Sequence, residues 1–332
     1  MEYRNLGSTG IRVSAISFGA GPVSQLLTGE RNATQRETVR RAIELGVNWF
    51  DTAASYGDGQ SEENLGRVLS DLGAQEQVHV ATKVRLMPNQ LRSIGMHVRE
   101  SVLASLRRLQ LERIALLQVH NSITAEAGSQ PMSLTPAHVL AAGGMLEELD
   151  RLKQRGLVGR LGLTGLGEPA ELGQVIDSGA FDTVQIPYNL LNPSAGQPVG
   201  ADFSEVNYGD LISICARREM GLFAIRVLAG GALAGNPPSP HTIKTPFFPL
   251  ELYERDLQRA ETLAAHLPEG MSRQEAAVRF ALSHPGVSSA IVGFATPEQV
   301  SHAVGYAAAG PLDAALLARI RECSPFPAPH GP

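Results

Sequence analysis

Short apolar runs alternate with amphipathic stretches eight times along this chain, and that rhythm admits very few folds. The runs lie at 15–18, 47–50, 79–82, 114–119, 158–163, 183–186, 222–227 and 288–292. Stretches of helical periodicity follow at 34–45, 62–72, 96–109, 137–154, 169–178, 209–218, 273–283 and 297–308. The runs are mostly unbroken Val, Ile and Leu, as suits parallel strands covered on both faces. Eight βα units in 332 residues fit a closed (β/α)8 TIM barrel of the α/β class better than an open sheet. An N-terminal β-hairpin is expected first, with Tyr3–Asn5 and Leu6 on one arm, a turn at Gly7-Ser8-Thr9-Gly10, and Ile11-Arg12-Val13-Ser14 on the other. No Gly/Ser-rich or charged linker separates the units, so residues 1–332 read as a single domain.

Long Pro- and Gly-containing connections follow the fourth, sixth and seventh runs, at 121–136, 189–208 and 229–251. The connections from helix to strand are mostly short. Long loops collected at strand C-termini are where a barrel builds its pocket and its lids.

A composition of 43% apolar and 18% charged residues supports a sizeable core and excludes a disordered chain. The net charge of −5, with Lys and Arg spread along the chain, leaves no footprint for nucleic acid or an anionic membrane. The N-terminus has no apolar signal core. The longest uncharged runs, 227–243 and 280–297, are broken by Gly, Pro or His and are no longer than a spanning helix needs. Cys215 and Cys323 cannot form a disulfide framework, so a reducing cytoplasm is the expected compartment. The nine histidines show no close pairing with Cys or with one another, so no metal site is expected.

Four polar residues interrupt the apolar pattern at equivalent places. Asp51 closes the second run and Tyr56 lies five residues on; Lys83 closes the third run and His120 the fourth. In a barrel these strand ends are neighbours around one rim. A phenol titrates near about 10 and is a poor acid at neutral pH. An ammonium beside a phenol stabilises the phenolate, a carboxylate holds the ammonium, and an imidazole orients a carbonyl oxygen or shares the proton. Each residue alone has a plainer reading: a turn cap for Asp51, a loop aromatic for Tyr56, a solvated strand end for Lys83, a core histidine for His120. Their joint placement on three successive strand ends favours a proton-transfer site.

The run Phe50-Asp51-Thr52-Ala53-Ala54-Ser55-Tyr56-Gly57, continued by Ser61-Glu62-Glu63-Asn64-Leu65-Gly66, resembles the active-site signature of the aldo-keto reductases. Ala81-Thr82-Lys83 and Leu117-Gln118-Val119-His120 resemble the family's lysine and histidine segments. The likeness runs from Leu6-Gly7-Ser8-Thr9-Gly10 to Ile291-Val292-Gly293. It implies a barrel that binds NAD(P)(H) in extended form, with hydride exchanged between nicotinamide and a carbonyl carbon. Tyr56 is then the proton donor, Lys83 and Asp51 tune it, and His120 positions the substrate carbonyl.

The same resemblance implies a cofactor-binding set of Gly19, Asp51, Thr164, Gln185, Ile225, Arg226, Leu228, Gly293, Thr296 and Gln299. Thr164-Gly165 stands where many members have Ser-Asn, and Ile225 where many place a stacking tyrosine. Arg226 could reach a phosphate or a substrate acid, or serve a structural ion pair. Thr296-Pro297-Glu298-Gln299 is a capping-box helix start, which offers free N–H groups to phosphate. Ala295 stands where many members carry an arginine for the 2′-phosphate, and residues 291–310 contain no Lys or Arg. That tilts the expectation toward NAD(H).

The expected substrate is a small carbonyl compound or a sugar. One specific form is NAD-dependent aldose 1-dehydrogenation, since the segment around Thr164 and the missing tyrosine are similar to L-galactose dehydrogenase and related aldose dehydrogenases. A cofactor-sensing regulatory subunit, like the potassium-channel β subunits of the family, is the rival from another class; the presence of all four residues favours an enzyme. Phe247, Phe248 and Tyr253 could wall the pocket or pack the seventh loop onto the barrel. Gly165-Leu166-Gly167-Glu168-Pro169-Ala170 mimics a dinucleotide-binding G-x-G-x-x-A loop. No acid follows at the ribose position about 20 residues on, so it is set aside.

Overall fold

Eight parallel strands close into a barrel in chain order, the last pairing with the first. The computed structural model describes residues 1–200, 203 and 205–323. Part of the 189–208 connection and the last nine residues of the expected 1–332 domain therefore lie outside the described residues. The barrel strands are β3 (Ile16–Gly19), β4 (Trp49–Asp51), β5 (His79–Val84), β6 (Ile114–Val119), β7 (Val158–Thr164), β8 (Thr183–Pro187), β9 (Gly221–Ile225) and β10 (Ser289–Gly293). All eight expected runs form these strands. The run read as 222–227 stops at Ile225, because Arg226 turns to a φ of +53° and leaves the extended region.

The N-terminal hairpin, β1 (Tyr3–Asn5) paired antiparallel with β2 (Arg12–Ser14), seals the N-terminal mouth. Leu6 and Val13 pack there on Trp49, Ala81, Leu116 and Phe223 to form a small core separate from the main one. The approach is close enough that a Cβ at Gly221 would sit 2.5 Å from the Leu6 side chain, so β9 opens on glycine. This plug leaves the opposite mouth as the open end.

Helices α1 (Ala33–Glu44), α2 (Gln60–Asp71) and α3 (Ile94–Leu109) cover the first strands. The helix expected over 137–154 is two, α4 (Pro136–Leu140) and α5 (Met145–Gln154). Gly143, at a φ of +78°, and Gly144, the N-cap of α5, break it. α6 (Pro169–Asp177) and α7 (Leu211–Arg217) match expectation within two residues.

The 229–251 connection is not wholly irregular. It holds a 3-10 turn over Ala229–Ala234 and α8 (Pro240–Lys244), and leads into a helix that was not expected, α9 (Leu250–Ala264). The dense Glu and Arg of α9 hide its buried stripe of Tyr253, Asp256, Ala260 and Leu263. α10 (Arg273–Ser283) and α11 (Pro297–Ala308) fall as expected, and an unexpected α12 (Ala314–Cys323) follows. Strict alternation of eight strands and eight helices thus holds for the barrel strands but not for the helices.

The dinucleotide-like loop has a packing explanation. Gly167, at a φ of +121°, bridges to Ile123, and a Cβ there would lie 1.9 Å from the Ile123 carbonyl oxygen. Only glycine fits there.

Candidate active site

Side chains alternate along a strand, so residues two apart share a face. Trp49, Ala81 and Leu116 fill the inner face above the hairpin. Two residues further along the same strands come Asp51, Lys83 and Gln118, one layer nearer the open mouth. Lys83 and Gln118 are register partners across β5 and β6, and Thr164 and Gln185 across β7 and β8. Apolar packing below gives way to a polar layer above, and the four expected residues converge on it.

Lys83 is the hub. Its ammonium donates to Asp51 Oδ1 at 2.5 Å, to the Thr52 carbonyl at 2.8 Å and to the Tyr56 hydroxyl oxygen at 3.3 Å. These three acceptors match its three donors. The other carboxylate oxygen of Asp51 accepts from Gln118 Nε2 at 3.0 Å and from Gln185 Nε2 at 2.5 Å. Lys83 and Asp51 are almost wholly buried, their side chains 1% and 4% exposed. Burial alone would weaken the ammonium, but the Asp51 carboxylate, Tyr56 and the hydrogen bonds to both outweigh it and hold Lys83 above its ordinary pKa. The lysine is therefore a fixed cation.

Tyr56 is half-buried at the mouth, on the turn from β4 into α2. Ser61 secures that turn: its hydroxyl hydrogen-bonds Thr52 Oγ1 at 2.8 Å and donates to the Ala20 carbonyl at 2.8 Å. Glu62 is fully buried, accepts from Thr82 Oγ1 at 2.5 Å and from Arg108 Nε at 2.7 Å, and so locks α2 onto β5 and α3. The Ser61-Glu62 segment thus anchors the tyrosine turn from behind.

His120 follows β6 directly, its N–H donating to the Val84 carbonyl at 2.9 Å. Its ring meets Tyr56 edge-on with centroids 5.6 Å apart, and Nδ1 lies 3.4 Å from Ser55 Oγ. Burial, then the charges of Arg85 and Lys83, push the imidazole well below its usual pKa, so it is neutral at pH 7. The sequence left open whether this histidine shares a proton or orients an oxygen. A neutral ring suits the second task.

Of the expected cofactor residues, Asp51 and Gln185 are bonded to each other. Gly19 and Gly293 are register partners at the mouth, where a Cβ at Gly19 would come 3.0 Å from the Ile291 side chain and 3.2 Å from the Val292 carbonyl. The buried Thr164 Oγ1 and Gln118 Oε1 have no hydrogen-bond partner among the described residues. Ile225 ends β9 half-buried, and Leu228 leads into the Ala229–Ala234 turn. The Arg226 guanidinium stacks on Phe248 at 3.8 Å and has no ion pair within 4.0 Å among the described residues. Burial lowers its pKa against the opposing Tyr208, Asp256 and Glu205. Thr296 caps α11 by accepting from the Gln299 N–H at 3.4 Å, while Gln299 Oε1 accepts from the Ala295 N–H at 2.8 Å. Tyr253 is core, donating to the Asn236 carbonyl at 2.9 Å, whereas Phe247 and Phe248 carry arginines.

Two residues at the mouth escaped the sequence reading. Gln118 holds Asp51, and Arg85 stands beside His120. Both continue the inward alternation, two residues before His120 and two after Lys83. Among the described residues no group of three or more His, Cys, Asp or Glu could hold a metal ion, and no helix is long and apolar enough to cross a membrane.

Comparison with known proteins bears on the family. The model of the Aldo/keto reductase family matches residues 15–325. L-galactose dehydrogenase of Arabidopsis thaliana is 30% identical over 309 residues, 92% of this chain and 87% of that protein. D-threo-aldose 1-dehydrogenase of a Pseudomonas species is 26% identical and covers 97% of each chain. A probable voltage-gated potassium channel subunit beta of rice is 26% identical over 90% of this chain and 89% of its own. Among solved structures, an aldo-keto reductase of Bacillus halodurans in its holo form superposes with a TM-score of 0.74 at 21% identity, over 98% of this chain and 96% of that one. That last likeness is one of fold. With the family match running from the start of the barrel to its last helix, the chain belongs to the aldo/keto reductase family and is an oxidoreductase.

Proposed function

We propose that this enzyme interconverts a carbonyl group of a small molecule with the corresponding alcohol, using Tyr56 as proton donor or acceptor. The observation that carries the reading is the chain Asp51–Lys83–Tyr56 with His120 edge-on to the phenol. Members of the family use NAD(P)(H), and such a cofactor supplies or takes the hydride. The residues at the mouth fit it: the Thr164 hydroxyl, unpartnered among the described residues, the side-chain-free Gly19 and Gly293 pair, and the capped start of α11. Gln185, Ile225, Arg226, Leu228, Thr296 and Gln299 would complete its holding set.

The protein's part is proton placement. Lys83 donates to the Tyr56 oxygen, which leaves the phenolic hydrogen free to point into the mouth. When that hydrogen passes to a substrate oxygen, the phenolate left behind faces a fixed ammonium, itself held by Asp51 and the Thr52 carbonyl. Neutral His120, with Nδ1 toward Ser55, keeps Nε2 to hydrogen-bond the substrate oxygen. In the oxidative direction the phenolate accepts the alcohol proton by the same path.

A narrower reading, oxidation of an aldose to its lactone with NAD, is favoured by two observations. The relatives include an L-galactose and a D-threo-aldose dehydrogenase. The first turn of α11 carries Glu298 and no cation; the Thr296 side chain and the helix start hold its carboxyl below the usual range. A charged carboxylate there opposes a 2′-phosphate.

Assays of aldoses and aldehydes in both directions, with each nucleotide, test the proposal. Turnover of at least one class with bound NAD(H) or NADP(H) is expected. A folded protein that binds neither nucleotide and turns over no carbonyl compound or sugar would overturn it.

A further inference from the structure

Arg85 is a charged residue at the mouth that neither the proton-transfer machinery nor the cofactor-holding set uses. β5 ends at Val84, and Arg85 continues its inward series after Ala81 and Lys83. Val84 and Val119 are register partners and the His120 N–H donates to the Val84 carbonyl, so Arg85 and His120 extend that register side by side. Adjacent strands run about 4.8 Å apart. The guanidinium carbon lies 4.7 Å from the centre of the Phe247 ring. Arg85 Nε is buried with no hydrogen-bond partner, and the side chain has no ion pair among the described residues. Burial lowers its pKa, Tyr56 opposes that shift, and its charge in turn bears on His120 and His241.

A half-buried guanidinium with no counter-charge is unfavourable unless a ligand supplies one. We propose that Arg85 recognises a carboxylate on the substrate, so that the preferred substrates are carbonyl compounds bearing a carboxylate a few bonds from the reacting carbon. Lys83 already belongs to Asp51 and Arg226 to the cofactor-holding set, so Arg85 is left to balance one negative charge, which suits a carboxylate better than a phosphate dianion. The planar fork, steadied on Phe247, presents paired N–H groups to two carboxylate oxygens. This deepens the carbonyl reading of the proposed function, on which it rests, and competes with the neutral-aldose form.

The test compares succinic semialdehyde with its neutral methyl ester, which holds the aldehyde the same number of bonds from the carboxyl carbon. In the wild type, kcat/KM for the semialdehyde exceeds that for the ester by about ten- to hundredfold, the range of a hydrogen bond to a charged group. In Arg85→Met the ratio collapses to within about threefold of one, and Arg85→Lys recovers part of it. A wild-type ratio near one overturns the inference, as does a ratio unchanged in Arg85→Met, which would leave the arginine as a tether for Phe247. A nucleotide Kd raised tenfold in Arg85→Met overturns it too, by assigning the cation to a cofactor phosphate. If neutral aldehydes or aldoses turn over and the semialdehyde does not, the inference falls and the proposed function stands. If no carbonyl compound turns over, both fall.

Discussion

Lys83 Nζ lies 3.3 Å from the hydroxyl oxygen of Tyr56, with a hydrogen to donate to it. The relationship is directional: the lysine is the donor, so the phenol keeps its own hydrogen for a ligand at the mouth. It is also fixed, because Asp51 and the Thr52 carbonyl take the other two hydrogens of the ammonium.

Breaking that buried pair from one side leaves an uncompensated charge. Lys83→Met is expected to lower the unfolding free energy by about 3–5 kcal/mol, measured by urea denaturation. The double variant Lys83→Met with Asp51→Asn is expected to recover part of the loss. A single-variant loss under about 1 kcal/mol would mean that Asp51 does not depend on the ammonium.

His120 gives a pH signature. Its pKa in the folded chain lies well below the ordinary 6.5, so below pH 6.5 the unfolded chain binds a proton that the folded one refuses. Stability is therefore full above that pH and falls as the pH drops toward the folded value. His79, His241 and His284 are lowered in the same direction. Denaturation between pH 7.5 and 5 is expected to show a shallower decline in His120→Asn than in the wild type. An equal or steeper decline would contradict a neutral, charge-opposed imidazole.

Glu62 supports the site from a distance. It is fully buried between Thr82 and Arg108. Glu62→Gln removes the charge that Arg108 faces and is expected to cost about 1–3 kcal/mol. Thermal unfolding measures this, and an unchanged melting temperature would show that α2 is held by packing alone.

The nucleotide preference is tested at the start of α11. Ala295→Arg is expected to raise the affinity for NADPH relative to NADH by about tenfold, the worth of one charge-assisted contact. Fluorescence titration reads both constants. A wild-type protein that already binds NADPH tenfold tighter than NADH would contradict the NAD-leaning reading.

The barrel was legible because its strands are buried on both faces and its βα units repeat. Asp51, Lys83 and His120 were legible because each is a polar residue closing an apolar run. α9 was not legible: its charged face is dense and its buried stripe includes Asp256. The break at Gly143-Gly144 was hidden because the flanking periodicity continues through it. Gln118 and Arg85 were overlooked for a related reason. Each reads as an ordinary polar residue until register sets it against Asp51 or His120, and that pairing exists only in three dimensions.

The proton-donor role of Tyr56 is the claim on which the rest depends, and Tyr56→Phe measures it directly. It removes one hydroxyl and keeps the ring against His120. Turnover of any accepted carbonyl substrate is expected to fall by about a hundred- to ten-thousandfold, with the nucleotide Kd unchanged within about twofold. Turnover within about threefold of the wild type would show that the proton comes from elsewhere.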